Sequence, residues 1–423
     1  MTIDDAEELE SSALRVLWES GRAGFETRLR DALASAGGPL VEPLADDAHR
    51  SLVTFAWLGD DDTKSVRLHS KLSNDRVDLH RIGGTNAWQR SFKVDNHVRT
   101  SYQFFPNQPE MEFGIAEARD PEASARYFAM LAEGVRADPA NPAAMIPQAV
   151  PAGYPRERWE SVLSMPGACV EPWLAEQPGI ARGEVDAHTF ASPSLGNSRR
   201  AWVYTPPGFS RDDALPSLTL LDGRAFRWSV PTQTIMDNLI AAGAVPPMVV
   251  CMLDNPTAVS RLTEYECNVP FADMLADEVV PWLRGTYGVS TDPARTIIGG
   301  VSYGGLGSGF AAFHRPDIFG NVLSMSGSYW WGPDEEGAEW LTQQVAAAPA
   351  TDVRWYLDAG SLETMMLIPP AGANMVAVSR HLRDVLVAKR APVTFNTFGG
   401  GHEFCCWRQS LADGLRWLTA EWG

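Results

Sequence analysis

Several kinds of signal are scarce in this chain, and each scarcity argues against a class of function. No apolar run approaches the roughly 18 residues that a membrane-spanning helix requires. Five cysteines among 423 residues are an odd number without repeated spacing, which argues against a disulfide framework. No Cys/His cluster has zinc-ligand spacing, so no metal site is expected. Positive charge is also short: 35 Lys and Arg against 53 Asp and Glu leave a net charge of -18 at pH 7. A general nucleic-acid binder needs a basic face, and that balance does not supply one. The opening Met1-Thr2-Ile3-Asp4-Asp5-Ala6-Glu7-Glu8 has neither the basic nor the apolar region of a secretory signal. The expectation is a reduced, cytoplasmic protein.

What is present is ordinary globular material, 45% hydrophobic and 21% charged. The length suggests two domains. Residues from about Ala6 to Ala36 carry apolar positions at helical spacing and stop at Gly37-Gly38-Pro39. Short alternating runs follow at Val53–Leu58, Val66–His69, Trp88–Val94 and Ser101–Phe105, separated by turn residues. They predict an antiparallel, immunoglobulin-like β-sandwich within residues 1–150. A Pro- and Ala-rich stretch introduces an expected linker over residues 151–190. From 191 to 423, continuous apolar strands alternate with helices, the pattern of a mostly parallel sheet covered on both faces. In such sheets chemistry sits beyond the carboxyl ends of the strands.

One of those strand ends stands out. Thr296-Ile297-Ile298-Gly299 runs into Gly300-Val301-Ser302-Tyr303-Gly304, and a small-residue helix follows to His314. A G-x-S-x-G between strand and helix forces the serine into a strained turn with its hydroxyl exposed above the sheet. Ser302 is therefore the candidate nucleophile, and it needs a base. His402 follows the run Val393–Phe398 through Gly399-Gly400-Gly401, a flexible mount for an imidazole. The acid belongs after the strand Val353–Leu357, where both Asp358 and Glu363 qualify on spacing. The Tyr303 N–H is one expected oxyanion donor, and Gly223 or Arg224, past the strand Ser217–Leu221, supplies the other.

With these residues located, the chain resembles the enterochelin (enterobactin) esterase family of α/β-hydrolases. The resemblance rests on Leu220-Leu221-Asp222-Gly223, Arg261-Leu262-Thr263-Glu264, Gly299 to Gly305, Ser324 to Trp331 and Gly400 to Arg408. It covers most of residues 190–423 and, more weakly, 40–145. It implies a serine esterase that cleaves a catecholate siderophore trilactone, with iron only as part of the ferric substrate and no other cofactor. The Ala359-Gly360-Ser361-Leu362-Glu363 pattern matches the family's acid, so the implied triad is Ser302, Glu363 and His402. Arg261 and Glu264 match a substrate-loop motif; the alternative is an ion pair between the two. The sequence departs from the family after Asp222-Gly223, where Arg224-Ala225-Phe226-Arg227-Trp228 replaces acidic and aromatic residues. Arg224, Arg227 and Trp228 could meet an anionic or aromatic acyl group, or Trp228 could be core; Trp330 and Trp331 could wall a pocket or pack under the sheet. Feruloyl-type esterases and acyltransferases share this chemistry and form the competing reading. A non-catalytic binding protein would predict a broken triad, whereas all three members are present.

Overall fold

The structure, a computed structural model, describes residues 2–3, 9–73, 77–111, 117, 120–147, 155–333, 337–364 and 373–422. The chain divides into two compact units. The first comprises residues 1–117, 122–169 and 399–405; the second comprises 118–121, 170–398 and 406–423.

The first unit is the sandwich. Its strands are β1 (Thr2–Ile3), β2 (Leu40–Leu44), β3 (Asp47–Leu58), β4 (Val66–Ser70), β5 (Val77–Asp78), β6 (His80–Ile82), β7 (Ala87–Asp95), β8 (Arg99–Pro106), β9 (Ala144–Met145) and β10 (Glu160–Ser164). They form two five-stranded sheets, β1-β6-β7-β3-β2 and β5-β4-β8-β10-β9, antiparallel except for the β1/β6 pair. The period-2 alternation of β3 separates two layers of packing. Phe55 and Trp57 face the other sheet, with ring centroids 4.9 Å from Tyr102 and 5.2 Å from Phe104. Ala56 points the opposite way, into a cluster with Leu14, Trp18, Phe25, Leu29 and Leu33.

Those last five residues come from two helices, α1 (Ser12–Glu19) and α2 (Phe25–Ala36), where the periodicity suggested one. Gly21 and Gly24, at φ 115° and 73°, make the break, and Ser11 caps α1 through the Leu14 N–H. The start of the expected helix, residues 6–8, lies outside the described residues. The expected linker also changes character. Residues 151–154 lie outside the described residues, but β10 pairs with β8 over Ser161–Ser164, and the first strand of the second unit begins at Glu184. Its Pro-rich opening masked a short strand whose partner lies some sixty residues upstream.

The second unit holds one eight-stranded sheet: β11 (Glu184–Ser192), β12 (Asn197–Thr205), β13 (Ser217–Leu221), β14 (Val249–Leu253), β15 (Thr296–Val301), β16 (Asn321–Met325), β17 (Arg354–Gly360) and β18 (Val393–Phe398). The order is β11-β12-β14-β13-β15-β16-β17-β18, and only β12 runs against the rest. This is the α/β-hydrolase arrangement. Every residue of β13 to β16 is buried, as uninterrupted apolar strands require when helices cover both faces. Among the described residues no helix is long and apolar enough to cross a membrane.

Candidate active site

Ser302 follows directly on β15, at φ 57°, ψ -123°. A non-glycine residue there is strained by about 1–3 kcal/mol and stays only where its surroundings over-determine it. Three hydrogen bonds do so: Ser302 N–H to Met325 O at 3.0 Å, Leu306 N–H to Ser302 O at 3.1 Å, and Ser328 N–H to Ser302 O at 3.0 Å. The flanking glycines permit the turn. A Cβ on Gly300 would lie 2.7 Å from the Gly304 backbone, and one on Gly305 would lie 2.7 Å from Ser324 Oγ. Tyr303 opens the buried helix α3 (Tyr303–His314), with its N–H at the helix start beside the serine.

A second turn lies past β13. Asp222 is left-handed at φ 63°, ψ 46°, and a Cβ on Gly223 would sit 2.4 Å from Met252 O. Only glycine fits so close to the neighbouring strand. The Asp222 carboxylate accepts a fork from Arg261, Nε at 2.6 Å and Nη2 at 2.7 Å. Arg224 turns toward Asp254: its N–H and its Nε are each 3.3 Å from a carboxylate oxygen. Among the described residues no hydrogen bond takes up the Gly223 N–H. Of the two expected second donors, Gly223 is the one left uncommitted.

The two candidate acids are separated by their environments. Glu363 is 1% exposed, and its Oε1 accepts from Ser326 Oγ–H and from Gly360 N–H, both at 2.7 Å. Trp407 Nε1–H in turn donates to Ser326 Oγ at 2.9 Å, which fixes the hydroxyl's direction. Asp358, inside β17 two residues before its end, accepts from Ser326 N–H at 3.1 Å. Burial pushes its carboxyl up to about 7, against the hydrogen bonds from Ser410 and the Ser326 N–H. Ser326 thus links the Ser302 turn to both candidate carboxylates, since its neighbour Met325 holds the Ser302 N–H. Sequence reasoning passed over Ser326 and Trp407. The available signal was that Ser326, like Asp222, Asp254 and Ser302, stands immediately past a parallel strand.

His402 belongs to segment 399–405, which clusters with the first unit. The preceding glycines are not a flexible mount. A Cβ on Gly399 would lie 2.1 Å from His97 O, and one on Gly401 would lie 2.6 Å from Lys71 Cβ, so they are there for close packing.

The expected substrate residues divide. Arg261 pairs with Asp222 rather than with Glu264, and Glu264 is buried in a two-bond pair with Arg199 at 2.9 and 3.0 Å. Trp330 is 6% exposed and packs edge-on against Tyr303, with centroids 5.8 Å apart, so it is core. Trp331 is partly buried against Trp340. Trp228 is 39% exposed, with the Arg227 guanidinium 4.2 Å above its ring.

Comparison with known proteins matches both units. The family model "Putative esterase" covers residues 192–418, and "Enterochelin esterase, N-terminal" covers residues 52–174. The chain is 30% identical over 436 aligned residues to the iron(III) enterobactin esterase of Dickeya dadantii, spanning 96% of each protein. The crystal structure of the enterobactin esterase from Shigella flexneri in the presence of enterobactin aligns with a TM-score of 0.72 at 27% identity, over 92% of this chain and 97% of that one. The Shigella flexneri structure in the presence of 2,3-di-hydroxy-N-benzoyl-serine aligns with a TM-score of 0.71 at 27% identity, over 92% and 97%.

Proposed function

This chain belongs to the enterochelin esterase family and is a carboxylic-ester hydrolase, and from that premise we propose that it hydrolyses the ester bonds of a catecholate siderophore trilactone such as iron(III) enterobactin. The nucleophile is Ser302. His402 takes the Ser302 proton as Oγ bonds to the ester carbonyl carbon, and Glu363 orients the imidazole and stabilises its cation. The Tyr303 and Gly223 N–H groups receive the developing oxyanion. Collapse breaks the ester C–O bond, and the imidazolium protonates the departing alcohol. Water, deprotonated by the same histidine, then releases the acyl group.

The observation that carries this reading is the strained backbone of Ser302, held by three hydrogen bonds at the end of β15. The fixed Glu363 oxygen supports its role as the acid over Asp358, whose raised proton affinity suits it poorly to stabilising a cation. Iron enters as the substrate's cargo, and no cofactor takes part. A ferric tris-catecholate is an aromatic anion. The Arg227–Trp228 stack, with its exposed indole and on the helix that begins at Gly223, supplies cation and ring surface for it, and Arg224 adds a half-exposed guanidinium that is shared with Asp254. The guanidinium of Arg261 and the carboxylate of Glu264 are engaged in ion pairs, which leaves them supporting the site. Among the described residues the cysteines form no disulfide, consistent with the cytoplasm as the place of reaction.

Mass spectrometry of products from ferric and iron-free enterobactin, with a feruloyl ester and an amine acceptor as controls, tests the proposal. Linear dihydroxybenzoylserine products from the native protein, and none above background from Ser302→Ala, are expected. Preferential turnover of the feruloyl ester, or acyl transfer to the amine, would refute it.

A further inference from the structure

The segment carrying His402 is anchored on both flanks of that residue, and the second anchor is a buried carboxylate. On one flank, Arg99 N–H donates to Gly399 O at 2.9 Å, and Arg99 and Gly400 pair as a parallel bridge at the start of β8. On the other flank stands Glu403, 5% exposed. Its Oε2 accepts both the backbone N–H and the Oγ–H of Ser101, each at 2.7 Å. Ser101 lies in β8, so both anchors come from one rigid central strand of a five-stranded sheet. The close packing of Gly399 and Gly401 against His97 and Lys71 removes the remaining slack.

We propose that Ser101 and Glu403 form a clamp that sets the position of His402, which makes Glu403 a positioning residue. This rests on the assignment of His402 as that base. A buried carboxylate is costly compared with an apolar side chain of similar size. What it returns is direction: two short bonds from two groups of one residue fix both the distance and the angle of the neighbouring backbone. Triad chemistry depends on such placement, since a shift of about 1 Å can cost a hundredfold in rate.

The test measures the time course of Ser302 labelling by a fluorophosphonate probe, which separates the fraction of sites that react from the rate constant at each site. Full-length Glu403→Ala is expected to label to the native extent with a rate constant about 10- to 100-fold lower. Glu403→Gln, whose amide oxygen still accepts a bond, is expected to recover most of that rate. Ser101→Ala, which loses one of the two bonds, should fall between native and Glu403→Ala, and it decides the matter if Glu403→Ala does not fold. For a neutral nitrophenyl ester, kcat should drop in parallel while KM stays within about twofold. A native rate constant in the clamp variants, with or without a smaller labelled fraction, would reduce Glu403 to a structural contact and overturn the clamp. His402→Ala separates the two levels of the argument. If it labels at the native rate, the base assignment falls and the clamp falls with it; if it labels slowly while Glu403→Ala does not, only the clamp falls.

Discussion

Ser326→Ala deletes a single hydroxyl that serves two partners. It donates to Glu363 Oε1 at 2.7 Å and accepts from Trp407 Nε1–H at 2.9 Å. A hydrogen bond to a charged group contributes about 1.5–3 kcal/mol, and a buried donor that loses its acceptor costs about 1–3 kcal/mol. Together these lower folding stability by about 2.5–6 kcal/mol. Activity should change less, because the Gly360 N–H still holds the same carboxylate oxygen at 2.7 Å. If about 1–1.5 kcal/mol of the lost bond is expressed in the transition state, kcat falls about 5- to 10-fold. The assay is steady-state turnover of a neutral nitrophenyl ester, with urea unfolding on the same samples. Ser308→Ala is the control: this buried serine of α3 has no hydrogen-bond partner for its hydroxyl among the described residues, so its loss should leave both readouts near native. A loss of stability with unchanged kcat would refute Glu363 as the oriented acid. No change in either would refute the network.

Two further outcomes follow from the charges at the strand ends. Asp358 keeps a proton in the folded state up to about 7, whereas an unfolded aspartate releases it near pH 4. The folded state therefore binds more protons between those values, and stability falls as pH rises through that window and then levels off. Asp358→Asn should remove this part of the slope between urea titrations at pH 5 and pH 8; an identical slope in both proteins would refute the shift. Arg261→Ala leaves the buried Asp222 carboxylate without its guanidinium, at a cost of about 3 kcal/mol. Because Asp222 shapes the turn that presents Gly223, turnover should fall equally for neutral and anionic esters. A loss confined to the anionic ester would instead make Arg261 a substrate contact.

The nucleophile turn was legible because its determinants are local. A buried strand, a serine and glycines two residues to either side specify their own geometry through contacts only a few residues apart, and Gly300 meets Gly304 as the motif implies. The alternating runs of the sandwich announced their faces in the same way: Phe55 and Ala56 point to different cores, as period 2 requires. The break between α1 and α2 was less visible, because the apolar spacing continues on both sides of Gly21 and Gly24.

What the sequence by itself determined, then, is the fold class, the family and the strained turn at Ser302, all of which are carried by local pattern or contiguous motif. Tertiary structure alone decided between partners that spacing treats alike. Asp358 and Glu363 stand five residues apart and are alike on spacing, and the fold gives them different surroundings: the Ser326 hydroxyl, itself held by Trp407, reaches Glu363, whereas burial raises the proton affinity of Asp358. Arg261 has a neighbour of opposite charge at Glu264, yet folding presents it with Asp222, and gives Glu264 to Arg199. The glycines before His402 read as slack and prove to be close-packed, because a strand about 300 residues away supplies the Ser101 that grips Glu403. Hydrogen bonds and ion pairs are satisfied by whichever group the fold delivers, and one-dimensional spacing carries no record of that delivery.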